Sequence, residues 1–353
     1  LEILSAIGGL NRLTLHRSQA ELLRRQISQK RGEWRAVLPH ALANRLAKRA
    51  LENTPLSDIN TELFKPENRR LFKSCAHRLG YLHDFEPAQQ LAESWVLPNG
   101  PLHDVKSCDE EQIEALDYIA PVFPNTVLTA IEAAVTDPSF ASRSNSHFSK
   151  FVRLLSKLAY EDESFDRAAS AILKFAEGET ANENNNSVVG QLKQLFSLYL
   201  SGTHASPTRR QEFAANLLDS SNPRHCEIAR EIFRSALEAS HWSSVSTFGF
   251  GARKRNTGWV PKTRRERDEW YEGFIDLLEV KLKSNDPLAT GIARELLANH
   301  SRGLWSYAGC FDKMEQLVTT HASGGRWPEM WLSIKQTVFF DGEGSDPDLL
   351  KRL

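Results

Sequence analysis

Long apolar runs are missing from this sequence. No stretch reaches the roughly 18 consecutive apolar residues that a spanning helix needs, which excludes a helical membrane anchor within the 353 residues given. Charge of one sign is missing too: 44 Lys+Arg stand against 45 Asp+Glu, for a net charge of −1. Without a global field to draw in nucleic acid or an anionic surface, any basic character must be local. Cysteine is scarce, and Cys75, Cys108, Cys226 and Cys310 include no pair at the Cys-x-x-Cys spacing of a zinc half-site. They read as free, buried thiols, which points to a reducing, cytoplasmic location. Gly-x-Ser-x-Gly, His-Glu-x-x-His and a complete phosphate loop are all absent, so no motif assembles a full set of catalytic groups. No secretory leader is visible. The sequence begins at Leu1 rather than Met, which leads us to expect a piece of a longer protein, with a partner domain ahead of it.

Alternating β patterns are almost absent, and helical spacing dominates instead. Trp34, Leu38, Leu42 and Leu46 recur every four residues, interrupted by Pro39, where a fresh helix is expected to start and run to about Leu51. Further stripes follow: Leu71, Phe72, Cys75 and Leu79; Leu91 and Trp95; Ile113, Leu116 and Ile119 behind an acidic first turn at Asp109-Glu110-Glu111; and Val127, Leu128, Ile131 and Val135. A second block opens near Arg143. It contains helices over Phe148–Leu158 and Phe165–Phe175, then near 188–200, 208–219, 224–239, 265–283, 287–299, 303–320 and 327–338. Residues 178–187 carry no apolar face and read as a loop. Val245 to Phe250 is the one candidate for a short extended stretch.

Two hexapeptides in this block nearly coincide. Ile228-Ala229-Arg230-Glu231-Ile232-Phe233 returns 64 residues later as Ile292-Ala293-Arg294-Glu295-Leu296-Leu297. Ser221-Asn222-Pro223 precedes the first copy and Ser284-Asn285-Asp286-Pro287 the second. Trp242 and Trp305 follow them. Phe213 with Leu217-Leu218 matches Phe274 with Leu277-Leu278, and Phe165 to Phe175 reads as a degenerate earlier copy. The repeating unit is then a pair of helices that cannot bury both faces alone. This predicts an all-α fold: an α-solenoid of stacked helix pairs, of the HEAT or tetratricopeptide kind, over 141–353, preceded by a helical connector over 1–140 that includes a winged-helix-like part.

The repeat is broken after its first copy by an insertion from Ser243 to Arg267. This holds the densest run of cations in the chain: Arg253, Lys254, Arg255, Lys262, Arg264, Arg265 and Arg267, with Trp259 among them and only Glu266 opposing. Such a tract suits an acidic protein partner, or phosphates with Trp259 stacking on a base. The alternative is a solvated connection between two units. Phe248-Gly249-Phe250-Gly251 lacks the Gly-Lys-Ser/Thr ending of a phosphate loop. Two His-Asp pairs, His83-Asp84 and His103-Asp104, also stand out. With His40 or His77, and Asp104 or Asp117, they fit the donor set of a metal-dependent phosphohydrolase of His-Asp type.

Several phrases occur together in one order: Trp34-Arg35-Ala36-Val37-Leu38-Pro39-His40-Ala41-Leu42-Ala43, Ala76-His77-Arg78-Leu79-Gly80-Tyr81-Leu82-His83-Asp84, Ile119-Ala120-Pro121-Val122, then Gly251-Ala252-Arg253 with Gly258-Trp259. Over most of its length the chain resembles the region that follows the nucleotide-binding core in bacterial STAND NTPases, signalling ATPases of antiphage defence. The resemblance implies that Pro39 matches the proline of the Gly-x-Pro element near the adenine, with Val37 in place of its glycine. It also implies that His83 matches the histidine of the Met-His-Asp element that touches the nucleotide phosphates, with Leu82 in place of its methionine. The ATP-binding and hydrolysing motifs lie outside this sequence. The expectation is therefore a non-catalytic sensing region with no cofactor of its own, serving a parent that uses ATP and magnesium. Its trigger would be a protein or phage-derived partner, met at Arg253, Lys254, Arg255, Trp259, Lys262, Arg264 and Arg265. Oligomerisation would belong to the parent. The alternatives are the His-Asp phosphohydrolase and a generic protein-binding scaffold.

Overall fold

A computed structural model describes residues 2–32, 34–180, 187–244, 248–322, 326–342 and 346–353. The fold is all-α: 18 α-helices and one two-stranded sheet are found among the described residues. The chain divides into two compact units. One comprises Leu1–Phe140 with Gly249–Arg255, the other Ala141–Phe248 with Asn256–Leu353.

The first unit runs α1 (Glu2–Gly8), α2 (Arg12–Arg24), β1 (Ser28–Arg31), β2 (Trp34–Val37), α3 (His40–Asn53), α4 (Leu56–Leu63), α5 (Arg69–Gly80), α6 (Glu86–Val96), α7 (Glu110–Ile119) and α8 (Pro124–Val135). The strands pair antiparallel, Ser28 opposite Val37 and Arg31 opposite Trp34. Trp34 therefore does not belong to a helical stripe with Leu38. It lies in a strand beneath the Arg70 guanidinium, 4.2 Å from its ring centre, and the helix begins only after Pro39. The acidic turn at 109–111 is realised as a capping box: Asp109 accepts from the Gln112 N–H while the Gln112 side chain accepts from the Asp109 N–H. The core gathers Phe72 and Leu79 of α5 with Leu91 and Trp95 of α6 and Ile113, Leu116 and Ile119 of α7, all buried.

The second unit runs α9 (Phe148–Leu158), α10 (Asp162–Glu177), α11 (Val188–Gln194), α12 (Pro207–Leu218), α13 (Pro223–Ala236), α14 (Arg264–Leu282), α15 (Pro287–Gly303), α16 (Phe311–Ala322), α17 (Pro328–Asp341) and α18 (Pro347–Leu350). The helix expected over 303–320 is broken: a π turn, Leu304–Ala308, ends at Gly309, whose φ of 75° lies in the left-handed region that glycine tolerates. Of the stretch Val245 to Phe250, residues 245–247 lie outside the described residues, and Phe250 makes an isolated bridge to Arg253. Residues 181–186 of the expected loop are likewise outside. At its C-terminal flank, Glu179 accepts from the Ser187 hydroxyl (2.5 Å) and the Val189 N–H (2.8 Å), capping α11.

The two hexapeptides lie on α13 and α15, which pack on each other, as α12 packs on α14. Their apolar members, Ile228, Ala229, Ile232 and Phe233 against Ile292, Ala293, Leu296 and Leu297, are buried. The polar members tie the copies together: Glu295 accepts from Arg234 (2.6 Å) and pairs with Arg230 (3.6 Å), while Glu231 pairs with Lys193 (3.0 Å). The turn preceding each copy repeats the same set of capping hydrogen bonds at the 64-residue spacing. Asn222 and Asp286 cap their helices, each followed by a first-turn proline. The Ser220 and Ser284 hydroxyls accept the N–H of those caps (both 3.2 Å), so Ser220, not Ser221, is the counterpart of Ser284. The Cys226 thiol reaches the Leu217 and Ser220 carbonyls as the Thr290 hydroxyl reaches those of Lys281 and Ser284. This spacing also moves earlier matches: Phe274 stands opposite Arg210, not Phe213, and Leu277 and Leu278 stand opposite Phe213 and Ala214, not Leu217 and Leu218.

Candidate functional site

The basic tract is divided between the two units. Gly249–Arg255 packs within the first. The Ala252 N–H donates to the Gly80 carbonyl (3.2 Å), and Arg253 Nε donates to the Pro121 carbonyl (2.6 Å). Gly251 has a φ of 58°, and a Cβ there would come within 2.2 Å of the Gly80 oxygen, so this close approach requires glycine. The Arg255 guanidinium lies 3.8 Å from the centre of the Phe250 ring. Lys254 alone of these three cations is exposed.

In the second unit Trp259 is half-buried, with its indole stacked on buried Trp270 at 5.8 Å and 21°. Arg210 is fully buried against the same pair, its guanidinium 4.4 Å from Trp270 and 5.4 Å from Trp259. The Trp259 N–H donates to the Thr203 carbonyl (2.7 Å) and the Gly202 N–H to the Thr257 carbonyl (2.9 Å). The Asn256 amide oxygen meets His204 Nε2 (2.9 Å) and the Tyr160 hydroxyl (3.2 Å). One face of Trp259 is thus already occupied by Trp270, and the indole is anchored in the second unit.

Lys262, Arg264 and Arg265 are brought together, exposed, at the start of α14. Thr263 and Glu266 form a capping box there. Arg264 pairs with Asp268 (3.6 Å) and Arg265 with Glu269 (2.7 Å), each one turn on; the Glu269 hydrogen bond raises the Arg265 guanidinium above its ordinary value. Arg264 and Arg265, in the first turn, oppose the helix dipole, and their pairs one turn on offset that opposition.

His83 follows α5 in the first unit. Burial holds its imidazole below the ordinary value, the Arg253 charge adds to that effect, and Asp84 opposes it. Its buried Nδ1 has no hydrogen-bond partner among the described residues. Asp84 pairs with Lys48 (3.6 Å). Pro39 precedes α3, with its carbonyl accepting from the Ala43 N–H (3.1 Å). The His40 and Tyr81 rings are 6.5 Å apart, but no hydrogen bond or ring contact joins Pro39 to His83. The donors considered for a phosphohydrolase are not assembled: no group of three or more His, Cys, Asp or Glu among the described residues could hold a metal ion. His77 instead packs edge-on against Tyr118 (4.6 Å) and Tyr81 (5.2 Å). All four cysteines are free. Burial pushes Cys75, Cys108 and Cys310 up to about 12, far from reactive thiolates.

Arg210 was missed in the sequence because nothing in Arg209-Arg210 distinguishes a buried arginine from a solvated one. The available signal was its position opposite Phe274. No helix among the described residues is long and apolar enough to cross a membrane. No family model matches the chain, and no curated protein is significantly similar to it. Among solved structures, the crystal structure of an engineered protein shares 14% identity over 90% of this chain and 94% of that one, with a TM-score of 0.24, too low to carry an argument.

Proposed function

We propose that the chain is the connector and sensing region of a signalling ATPase of the STAND type, and that its second unit is an α-solenoid that recognises a protein trigger. The single observation that carries the recognition surface is the cluster of Lys262, Arg264 and Arg265, exposed together at the start of α14. An acidic protein surface meets their chemistry. Trp259, packed on Trp270 and Arg210, favours a protein over a nucleic acid. Exposed Lys254 carries the same charge on the first unit.

In this reading the trigger binds the active arrangement of the parent more tightly than the resting one, and that difference drives activation. The unit itself performs no chemistry, and ATP and magnesium belong to the parent. Purification of the full-length protein tests the reading. We expect a phosphate loop upstream of Leu1 and an adenine nucleotide that is released on denaturation and resolved by anion-exchange chromatography. A full-length protein with neither would contradict it.

A further inference from the structure

The end of the second unit carries a half-open pocket of about 360 Å³, within the size range of small-molecule sites. Its walls include Trp305, Ser306, Tyr307, Phe311, Asp341 and Asp346. The first three are consecutive because α15 opens into the π turn, closed by the Cys310 N–H on the Leu304 carbonyl (2.9 Å) at left-handed Gly309. π turns of this kind concentrate at functional sites. Trp305 and Phe311 meet edge to face at 5.0 Å and 76°, and Tyr307 is 54% exposed.

The two carboxylates differ. Asp341 is neutralised by a two-pronged pair with Arg302 (2.7 and 2.9 Å) and a hydrogen bond from Ser306 (2.6 Å). Asp346 accepts only the Asp348 N–H (2.9 Å), and no cation among the described residues pairs with it. Aromatic walls beside an uncompensated carboxylate repel anions. They also offer too few oxygen ligands for a hard metal ion. They attract an organic cation, whose charge is spread over alkyl groups that shed water easily and pack on ring faces.

We propose that this cavity binds a small quaternary ammonium molecule, held by Trp305, Tyr307 and Phe311 and balanced by Asp346. The site is independent of the trigger surface on α14. Calorimetric titration with choline and with its uncharged isostere 3,3-dimethyl-1-butanol tests it. Choline is expected to bind at least about tenfold more tightly than the isostere. Tyr307→Leu and Asp346→Asn, with folding checked by the melting temperature, should each weaken choline about tenfold. Asp346→Asn should leave the isostere unchanged. Absence of choline binding, equal affinity for the two probes, or full choline affinity in both variants would overturn the proposal.

Discussion

In the hairpin of α12 and α13, position 210 is an arginine; in the hairpin of α14 and α15, the position 64 residues on is Phe274. Both side chains are fully buried. The surrounding frame is the same: a proline-started helix, a side-chain cap, a serine in the turn, and a small polar side chain bonding back to the first helix of the pair. Phe274 fills its place with apolar surface, edge to face with Phe233 at 5.6 Å. Arg210 fills the same place, its guanidinium 4.4 Å from the centre of the Trp270 ring and 5.4 Å from that of Trp259. Its Nη1 donates to the Ser197 carbonyl (3.2 Å), and burial pushes its guanidinium down to about 9. The copies therefore share their turns and hexapeptides and diverge where the insertion returns to the core. The repeat sets the frame, and the insertion imposes its own filling on the copy it follows.

Truncating the apolar filling should have the largest effect. Phe274→Ala is expected to cost about 4 kcal/mol, read as a lower urea midpoint at unchanged slope. The second acts on a group that the first copy lacks: Glu279, whose counterpart is Ala215. Hydrogen bonds from Lys313, Lys283 and His321, against the opposing effect of burial, lower Glu279 from 4.5 to about 2. A carboxylate depressed in the folded state stabilises above its unfolded value and loses that contribution as pH falls through the folded one. Stability should thus decline between pH 4.5 and about 2 by up to about 3 kcal/mol from this group. Glu279→Gln should flatten that part of the profile, whereas Ala215→Ser should leave it intact.

Removing either cap, Asn222→Ala or Asp286→Ala, should cost about 1 kcal/mol, and the two losses should agree if the turns are equivalent. Arg210→Met should change stability by less than about 1 kcal/mol, because a buried guanidinium with no counter-ion among the described residues exchanges well for an apolar side chain of similar size. The smallest effect is expected between the copies: a double-mutant cycle of Arg234→Ala and Glu295→Ala should give a coupling of about 0.5 kcal/mol.

Much of this frame could be read from the chain. The 3.6-residue spacing of apolar residues placed the helices, and the hexapeptides identified equivalent faces whose apolar members are buried in both copies. The hairpin of β1 and β2 was hidden because Trp34 falls at helical spacing from Leu38, and four residues per strand are too few for alternation to register. The break at Gly309 was hidden because glycine inside a helical pattern signals a stop only through a left-handed φ that sequence does not display. At the candidate site, composition identified the cations, but their fates depend on tertiary contacts. Arg253 is tied to the Pro121 carbonyl, Arg255 lies over Phe250, and Trp259 is half-buried against Arg210, whereas Lys254, Lys262, Arg264 and Arg265 remain exposed.

That separation is tested most directly by reversing the exposed cations in the full-length protein, with Lys254→Glu, Lys262→Glu, Arg264→Glu and Arg265→Glu combined, and measuring phage plating on bacteria that produce it. The account predicts an unchanged melting temperature and loss of protection. Protection at the original level in a folded variant would contradict it.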